Sequence, residues 1–552
     1  MGIKKIPLIK EWMSDFPGFG AVYPVDTVGY RVGSKEVTLW RKNNPFINGT
    51  RDTVFGFVFN ASDKSLTKVI RGSRSAPLRV TGREKVVYKN MSDQQYANRW
   101  RILTAVLLGS IMGPIDASVV YIAIPVIARD FGADPATIGW VSMAYLLVLG
   151  SLILAFGRMG DIFGFKRVFL AGLLTFVLTS ALCGLAPTLG TLILLRALQA
   201  GGAGMMMAMA PAIITAVFPP QERGRALGMN GMVIALGLAM GPSLGGLLVD
   251  TLGWRAIFFI NVPIGIAAYL WCRHLLPEFR SEKRQRFDWP GAVLAFCGLG
   301  ALLLSVSRGE AYNWSWPILV LGLAALSLLS WFVVVEKRSP EPMLDLKLFH
   351  IRAFAAGNLA ALLNFMTQYI IVFLTPFLLQ QAMGLSAGRA GATMTAFPLT
   401  VLVVAPLAGA LSDKIGQRGL AFTGSLICTV AALLLAGLGQ HSGTGDVAWR
   451  LGLFGLGTGL FQSPNNSAVM GSVPRFRLGI AGGVLAATRN VGMVLGIALG
   501  GAILTARQAA YLHLEPIGAF LAALREAYLA AALVSLVATV ACLWTTLPRQ
   551  ES

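Results

Sequence analysis

The stretch Arg101–Ala128, RILTAVLLGSIMGPIDASVVYIAIPVIA, decides how this chain is read. It is long and apolar enough to cross a bilayer, which takes about 20 helical residues. Asp116 stands near its middle. A carboxylate at that depth costs about 2.5–3.5 kcal/mol on insertion scales. Two roles fit a charge kept there: a structural ion pair with a buried arginine, or a group that gains and loses a proton during transport.

The surrounding composition agrees with a membrane protein. The chain is 55% hydrophobic and only 13% charged, against about 25% charged residues in a soluble domain. Its net charge of +20 does not point to nucleic acid. Residues 1–90 supply +9 of it, and the rest lies largely in loops between apolar runs. Cys183, Cys272, Cys297, Cys428 and Cys542 sit in or beside apolar segments, at spacings that suit no metal site. They read as small hydrophobes. His274, His350, His441 and His513 fall at helix ends or in loops and make no intramembrane relay. No metal or cofactor motif appears, and neither a phosphate-binding loop nor a nucleophile–His arrangement supports a membrane-embedded enzyme.

Apolar runs predict fourteen spans, at 102–126, 137–157, 167–186, 190–215, 226–249, 255–276, 289–307, 316–335, 353–379, 391–411, 419–438, 449–471, 480–504 and 527–546. The fold class is therefore all-α and polytopic. With the N-terminus in the cytoplasm, eighteen Lys and Arg fall in cytoplasmic loops, among them Arg158, Lys166, Arg167, Lys283, Lys337 and Lys414. Only seven fall on the opposite side: Arg129, Arg255, Arg308, Arg389, Arg450, Arg507 and Arg525. That bias sets the orientation, and an even number of spans returns the C-terminus to the cytoplasm.

The two halves repeat. Gly157, Asp161 and Gly164 in GRMGDIFG recur as Gly409, Asp413 and Gly416 in GALSDKIG, 252 residues later. Gly237, Gly241 and Gly245 recur as Gly492, Gly496 and Gly500, 255 residues later. Two features at nearly one offset imply a duplicated six-helix unit, a transporter signature. The bundles are then 91–276 and 353–552, with two inserted helices in 277–352. Glycines four apart form one face and let helices approach closely, in a static seam or a sliding one. Pro242 interrupts the first ladder, and Gly246 follows it.

Several polar residues are site candidates. Arg196 lies about 10 Å along an inward-running helix and Asp116 about 20 Å along an outward-running one. In a core about 30 Å thick they share one depth, so pairing is possible. Asp161 meets the positive end of the third span, while Lys166 and Arg167 anchor it. The repeat offset sets Asp116 opposite Gln368 or Tyr369. Gln199, Gln368, Tyr369, Asn364, Asn465, Arg489 and Asn490 are candidates for lining a substrate cavity. For each single Asn or Gln, an interhelical hydrogen bond is the ordinary role.

These segments resemble the major facilitator superfamily, and within it the fourteen-helix drug:proton antiporters. The resemblance covers about residues 95–548 and rests on five motifs in order: DASVVYIAIP from Asp116, GRMGDIFGFKR from Gly157, RALQAGGAG from Arg196, GLAMGPSLGG from Gly237 and WRAIFFINVPIG from Trp254. It implies that Asp116 and Arg196 serve proton coupling, and that the Gly237–Gly246 motif shapes the antiport cycle. It also implies efflux of small lipophilic compounds across the cytoplasmic (inner) membrane, driven by the proton gradient and without a resident cofactor. The partners are then the lipid bilayer, protons and a small-molecule substrate, with a periplasmic adaptor as a further candidate. A specific metabolite or siderophore exporter would use the same machinery. An importer would not carry the GLAMGPSLGG motif. Two features depart from the pattern: Tyr121 replaces a small polar residue, which implies a narrower pocket, and span 10 has no acid, which argues against dicationic substrates.

Residues 1–90 contain no span. Two aromatic, β-branched runs, TVGYRVGSKEVTLW and TVFGFVF, predict short strands, whereas Lys64–Lys89 reads as loose chain. Met91 begins what looks like an ordinary transporter start, so the extension is expected to be dispensable or a mis-assigned start. A small cytoplasmic regulatory module is the alternative.

Overall fold

The computed structural model describes residues 27–32, 35–41, 53–60, 65–73, 98–278, 289–309, 315–338, 346–440, 442–473, 478–511, 513 and 515–544. The chain divides into two units, Met1–Met91 and Ser92–Ser552. The first holds an antiparallel meander of β1 (Thr27–Val32), β2 (Lys35–Arg41), β3 (Thr53–Asn60) and β4 (Ser65–Ser73). The two β-branched runs supply β1 to β3. The fourth strand corrects the loose-chain expectation for Ser65–Ser73. It pairs along β3 from Thr53↔Ser73 to Asn60↔Ser65, with an irregularity at Val58/Phe59. Charge content concealed it, because strand formation depends on a paired neighbour more than on intrinsic preference.

The second unit is helical. Its first half contains α1 (Arg99–Ser110), α2 (Met112–Phe131), α3 (Pro135–Ile138), α4 (Trp140–Phe163), α5 (Phe165–Gly184), α6 (Leu189–Val217), α7 (Pro220–Leu252), α8 (Ala256–Phe259) and α9 (Asn261–Leu275). Two helices follow, α10 (Trp289–Gly309) and α11 (Trp316–Arg338). The second half contains α12 (Arg352–Phe377), α13 (Ala387–Met394), α14 (Ala396–Ile415), α15 (Gln417–Ala436), α16 (Thr444–Gly471), α17 (Leu478–Ala510) and α18 (Pro516–Cys542).

The first predicted span is divided at Ile111 into α1 and α2. Pro114 has no N–H for the Ser110 carbonyl, and its ring crowds that carbonyl. The last predicted span, 527–546, begins earlier, at Pro516. Arg525 and Glu526 look like a span boundary in sequence. In the fold, Arg507 on α17 meets Glu526 at 2.7 Å, so the charge is accommodated within the helix.

Among the described residues, twelve helices are long and apolar enough to cross a membrane by length and composition. Two of the fourteen expected spans fall outside that number. In α10 the apolar part shortens to Val293–Ser305. In α16, Gln462, Ser463, Asn465 and Asn466 dilute the C-terminal half.

The packing repeats between halves. Helix α5 packs on α6 as α15 packs on α16; α4 packs on α6 as α14 packs on α16; α2 packs on α7 as α12 packs on α17. The backbone repeats as well: Gly164 ends α4 at φ 100° and Gly416 ends α14 at φ 94°, a region glycine enters without steric cost. The side chains of Asp161 and Asp413 in these motifs lie outside the described residues. Lys166 and Arg167 open α5, where exposed Arg167 approaches Glu278 at 3.5 Å. Helices α10 and α11 pack on each other, and α10 also touches α4 and α17.

Both glycine ladders face inward within their own half. A side chain on Gly237, Gly241 or Gly245 would meet Pro114, Ser118 or Ile122 of α2; one on Gly492, Gly496 or Gly500 would meet Leu362, Met366 or Ile370 of α12. Pro242 and Gly246 instead face the other half. A Cβ on Gly246 would strike the Ala387 backbone of α13, and one on Gly391 would strike the Pro242 carbonyl. Nearby, the Gly388 N–H donates to Asp250 at 2.8 Å, and the hydroxyls of Ser243 and Thr395 are 2.6 Å apart. Gln380 donates to the Ile122 carbonyl at 2.8 Å. These contacts gather at the end of the bundle where α2 stops and α13 starts.

Candidate functional site

Asp116 is 1% exposed on α2, and Arg196 is 1% exposed on α6. The Arg196 Nη1 donates to Asp116 Oδ2 at 2.5 Å. The other carboxylate oxygen, Oδ1, accepts from Gln199 Nε2 and from Asn261 Nδ2, both at 3.0 Å. Arg196 also donates from Nε to the Val141 carbonyl at 3.2 Å and from Nη1 to Gln199 Oε1 at 2.6 Å. Gln199 Nε2 reaches Ser180 Oγ at 2.7 Å. The guanidinium lies 4.3 Å from the Tyr145 ring centroid and 5.7 Å from that of Phe258. Six helices of the first half, α2, α4, α5, α6, α8 and α9, thus contribute to one buried cluster, and the groups bonded to the carboxylate are all donors.

A buried ion pair is retained only when its remaining hydrogen-bonding positions are filled, because desolvation otherwise exceeds the Coulomb gain. Here Gln199, Asn261 and the Val141 carbonyl fill them. Removing one partner of such a pair costs about 3–5 kcal/mol, since the other charge stays buried. Arg196→Ala is expected to destabilise the protein on that scale. Adding Asp116→Asn to it should cost less than the sum of the two single changes. Thermal unfolding of the four purified proteins measures this; additive losses would show that the two charges do not act together.

The sequence candidates separate into three groups. Gln199 belongs to the Asp116 network and is fully buried there. Asn364 and Asn465 bond within the second half, Asn364 to Cys428 Sγ at 3.8 Å and Asn465 to the Gly357 carbonyl at 3.0 Å. Gln368, Tyr369, Arg489 and Asn490 lie on faces directed at the first half or beside it. Gln462 donates to Gln368 at 3.2 Å. Tyr369 stacks edge-on against Tyr121 of α2, ring centroids 5.6 Å apart. Arg489 lies over Phe365 at 5.8 Å, and Asn490 packs where a Cβ on Gly150 of α4 would reach it at 2.9 Å.

Sequence reading missed Asn261, Ser180 and Tyr145. Asn261 carried a signal: it is the one amide in the apolar run AIFFINVPIG. Its partner was not legible, because depth along a helix is readable from sequence and rotation about its axis is not.

The fold and this site define a secondary transporter built from two related helical bundles. The chain matches the Major Facilitator Superfamily over residues 106–337 and 357–552, and it belongs to that family. Members are transporters and not enzymes. The riboflavin transporter RibZ of Clostridioides difficile is 36% identical over 402 residues, covering 72% of this chain and 87% of the relative. The multidrug resistance protein Stp of Mycobacterium tuberculosis is 34% identical, covering 76% and 79%. Among solved structures, an inward-facing, unoccupied bacterial homologue of the human lysosomal transporter Spinster shares the fold at TM-score 0.62 and 17% identity, covering 81% of this chain and 97% of that one.

Proposed function

We propose that this transporter exports small, mostly lipophilic compounds across the cytoplasmic membrane in exchange for protons. The observation that carries the reading is the Asp116–Arg196 pair, buried at 1% exposure in the half that also holds the Gly237–Gly246 motif. A proton on Asp116 removes one of two compensating charges. Arg196 is then left with the Val141 carbonyl and the Gln199 oxygen, and the arrangement must relax.

The relaxation has a route to the contact between bundles. Arg196 holds α4 through Val141, and α4 packs against α17 at Gly139 and Gly150. Asp116 shares α2 with Ser118, whose hydroxyl donates to the Leu238 carbonyl of α7 at 2.8 Å. Helices α4 and α7 are the two that touch the second half most closely from the first. Protonation and substrate then act as ligands with different affinities for two states, which is the only way either can shift the equilibrium. Transport in proteoliposomes under an imposed pH gradient, with a compound panel, tests the reading; export that ignores the gradient would defeat it.

The positive-inside bias supports fourteen crossings, with α10 and α16 counted as spans and both termini cytoplasmic. On that orientation the sealed end is the outer one, and this is an inward-facing state. Reporter fusions after Gly164 should score as cytoplasmic and fusions after Gly253 as external; the reverse pattern would overturn the topology. A specific exporter is the second reading, favoured by the relative named a riboflavin transporter.

A further inference from the structure

Among the described residues, Arg489 is a cation without a counter-ion. It lies on α17, partly buried, and its Nε is sealed from solvent without a hydrogen-bond partner. Within residues 352–510 the only acids are Asp413 and Asp446, one near each helix terminus at opposite ends of the bundle. The buried carboxylate of the first half is already engaged by Arg196, Gln199 and Asn261. Nothing described in the protein neutralises Arg489.

Its surroundings are aromatic and face the other bundle. The guanidinium lies over Phe365, 5.8 Å from the ring centroid. Phe365 and Tyr369 are one turn apart on α12, and Tyr369 meets Tyr121 across the gap between bundles. The next residue, Asn490, packs against α4 of the first half. Arg489, over Phe365, therefore stands one turn of α12 before the Tyr121–Tyr369 contact, and the Gln368 of the Gln368–Gln462 pair lies on the same helix.

We propose that Arg489 is the specificity-determining residue of the substrate site and selects aromatic compounds that carry an acidic group. The guanidinium presents a planar fork that fits the two oxygens of a carboxylate. Phe365, Tyr369 and Tyr121 take the aromatic body by stacking. The bound anion supplies the missing counter-charge, and an arginine within a span is expected to pair with such a group. This inference rests on the export reading above and narrows its substrate class.

The test compares 9-anthracenecarboxylate with 9-anthracenecarboxamide, which share one ring system and differ in charge. Binding of each to the full chain in lipid nanodiscs is followed by anthracene fluorescence at pH 7. The wild-type protein should bind the carboxylate at least tenfold more tightly than the amide. Arg489→Gln should remove that preference by weakening carboxylate binding far more than amide binding, and Arg489→Lys should keep part of it. Equal affinities in the wild type, a preference that survives in Arg489→Gln, or an equal loss for both probes would overturn the proposal. Proton-driven export is measured on the same purified proteins reconstituted in proteoliposomes. Loss of gradient dependence with the charge preference intact would sink the coupling reading alone; gradient-driven export without the preference would sink this one alone.

Discussion

Asp116→Asn is expected to insert and fold yet to lose proton-driven export by a hundredfold or more. The amide keeps the shape of the carboxylate and can still accept from Asn261 through its oxygen, but it has no proton to exchange at any working pH. It also leaves Arg196 without a counter-charge in a site that is 1% exposed, so some loss of thermal stability should accompany the loss of export. Asp116→Glu retains a titrating group displaced by one methylene and should keep part of the activity. The measurement is pH-gradient-driven efflux from proteoliposomes, normalised to inserted protein. Wild-type efflux by Asp116→Asn would remove the carboxylate as the coupling group and leave it as the structural member of an ion pair.

Gly246→Leu should produce the other large effect, by a different route. A side chain at Gly246 would enter the Ala387–Gly388 backbone of α13, which cannot swing aside as a flexible side chain can. Overpacking of this kind costs about 1–3 kcal/mol, which is roughly a fivefold to hundredfold shift in an equilibrium. The strain falls between bundles, so it acts on the state in which this end is sealed and spares the fold of each half. Transport should drop at least tenfold with normal expression. Labelling of a Ser243→Cys reporter by a membrane-impermeant thiol reagent should rise. Gly202→Leu is the control: its Cβ would meet the Phe176 nitrogen at 2.6 Å and the Gly172 oxygen at 2.7 Å inside the first half, and folding itself should fail. Unchanged transport by Gly246→Leu would show that closure at this contact is not part of the cycle.

The sequence was most readable where one dimension sufficed. Apolar length placed the helices, and matched glycines at Gly164 and Gly416 exposed the duplication that their shared positive φ reflects. Depth along the helix brought Asp116 and Arg196 to one level. Rotation about each helix axis was beyond reach. That is why the bond from Gln199 to the Asp116 carboxylate was not foreseen, and why Asn261 went unnoticed. The start of α18 was misplaced for a related reason: Glu526 looks solvent-bound until Arg507 of the preceding helix is known to meet it. The contact of Tyr121 with Tyr369 was half-visible, as an unusual ring in one motif whose partner only the fold supplies.

Asp116 is, among the described residues, the one fully buried carboxylate near the middle of a span; Glu526 on α18 is part-exposed and paired with Arg507. On the proposed exchange of a proton at Asp116, a single site limits each cycle to one proton, and stoichiometry then fixes how far export can be driven. One elementary charge crossing 100 mV yields about 2.3 kcal/mol, so a neutral cargo exchanged for one proton gains roughly a fiftyfold gradient from that potential. A monovalent anion leaving as the proton enters moves two charges in the favourable sense, doubling the electrical term to about 4.6 kcal/mol. The same voltage then supports a gradient of over a thousandfold, on the order of the square of the neutral limit. On the proposed coupling through one carboxylate, the charge on the cargo sets how steeply it can be expelled.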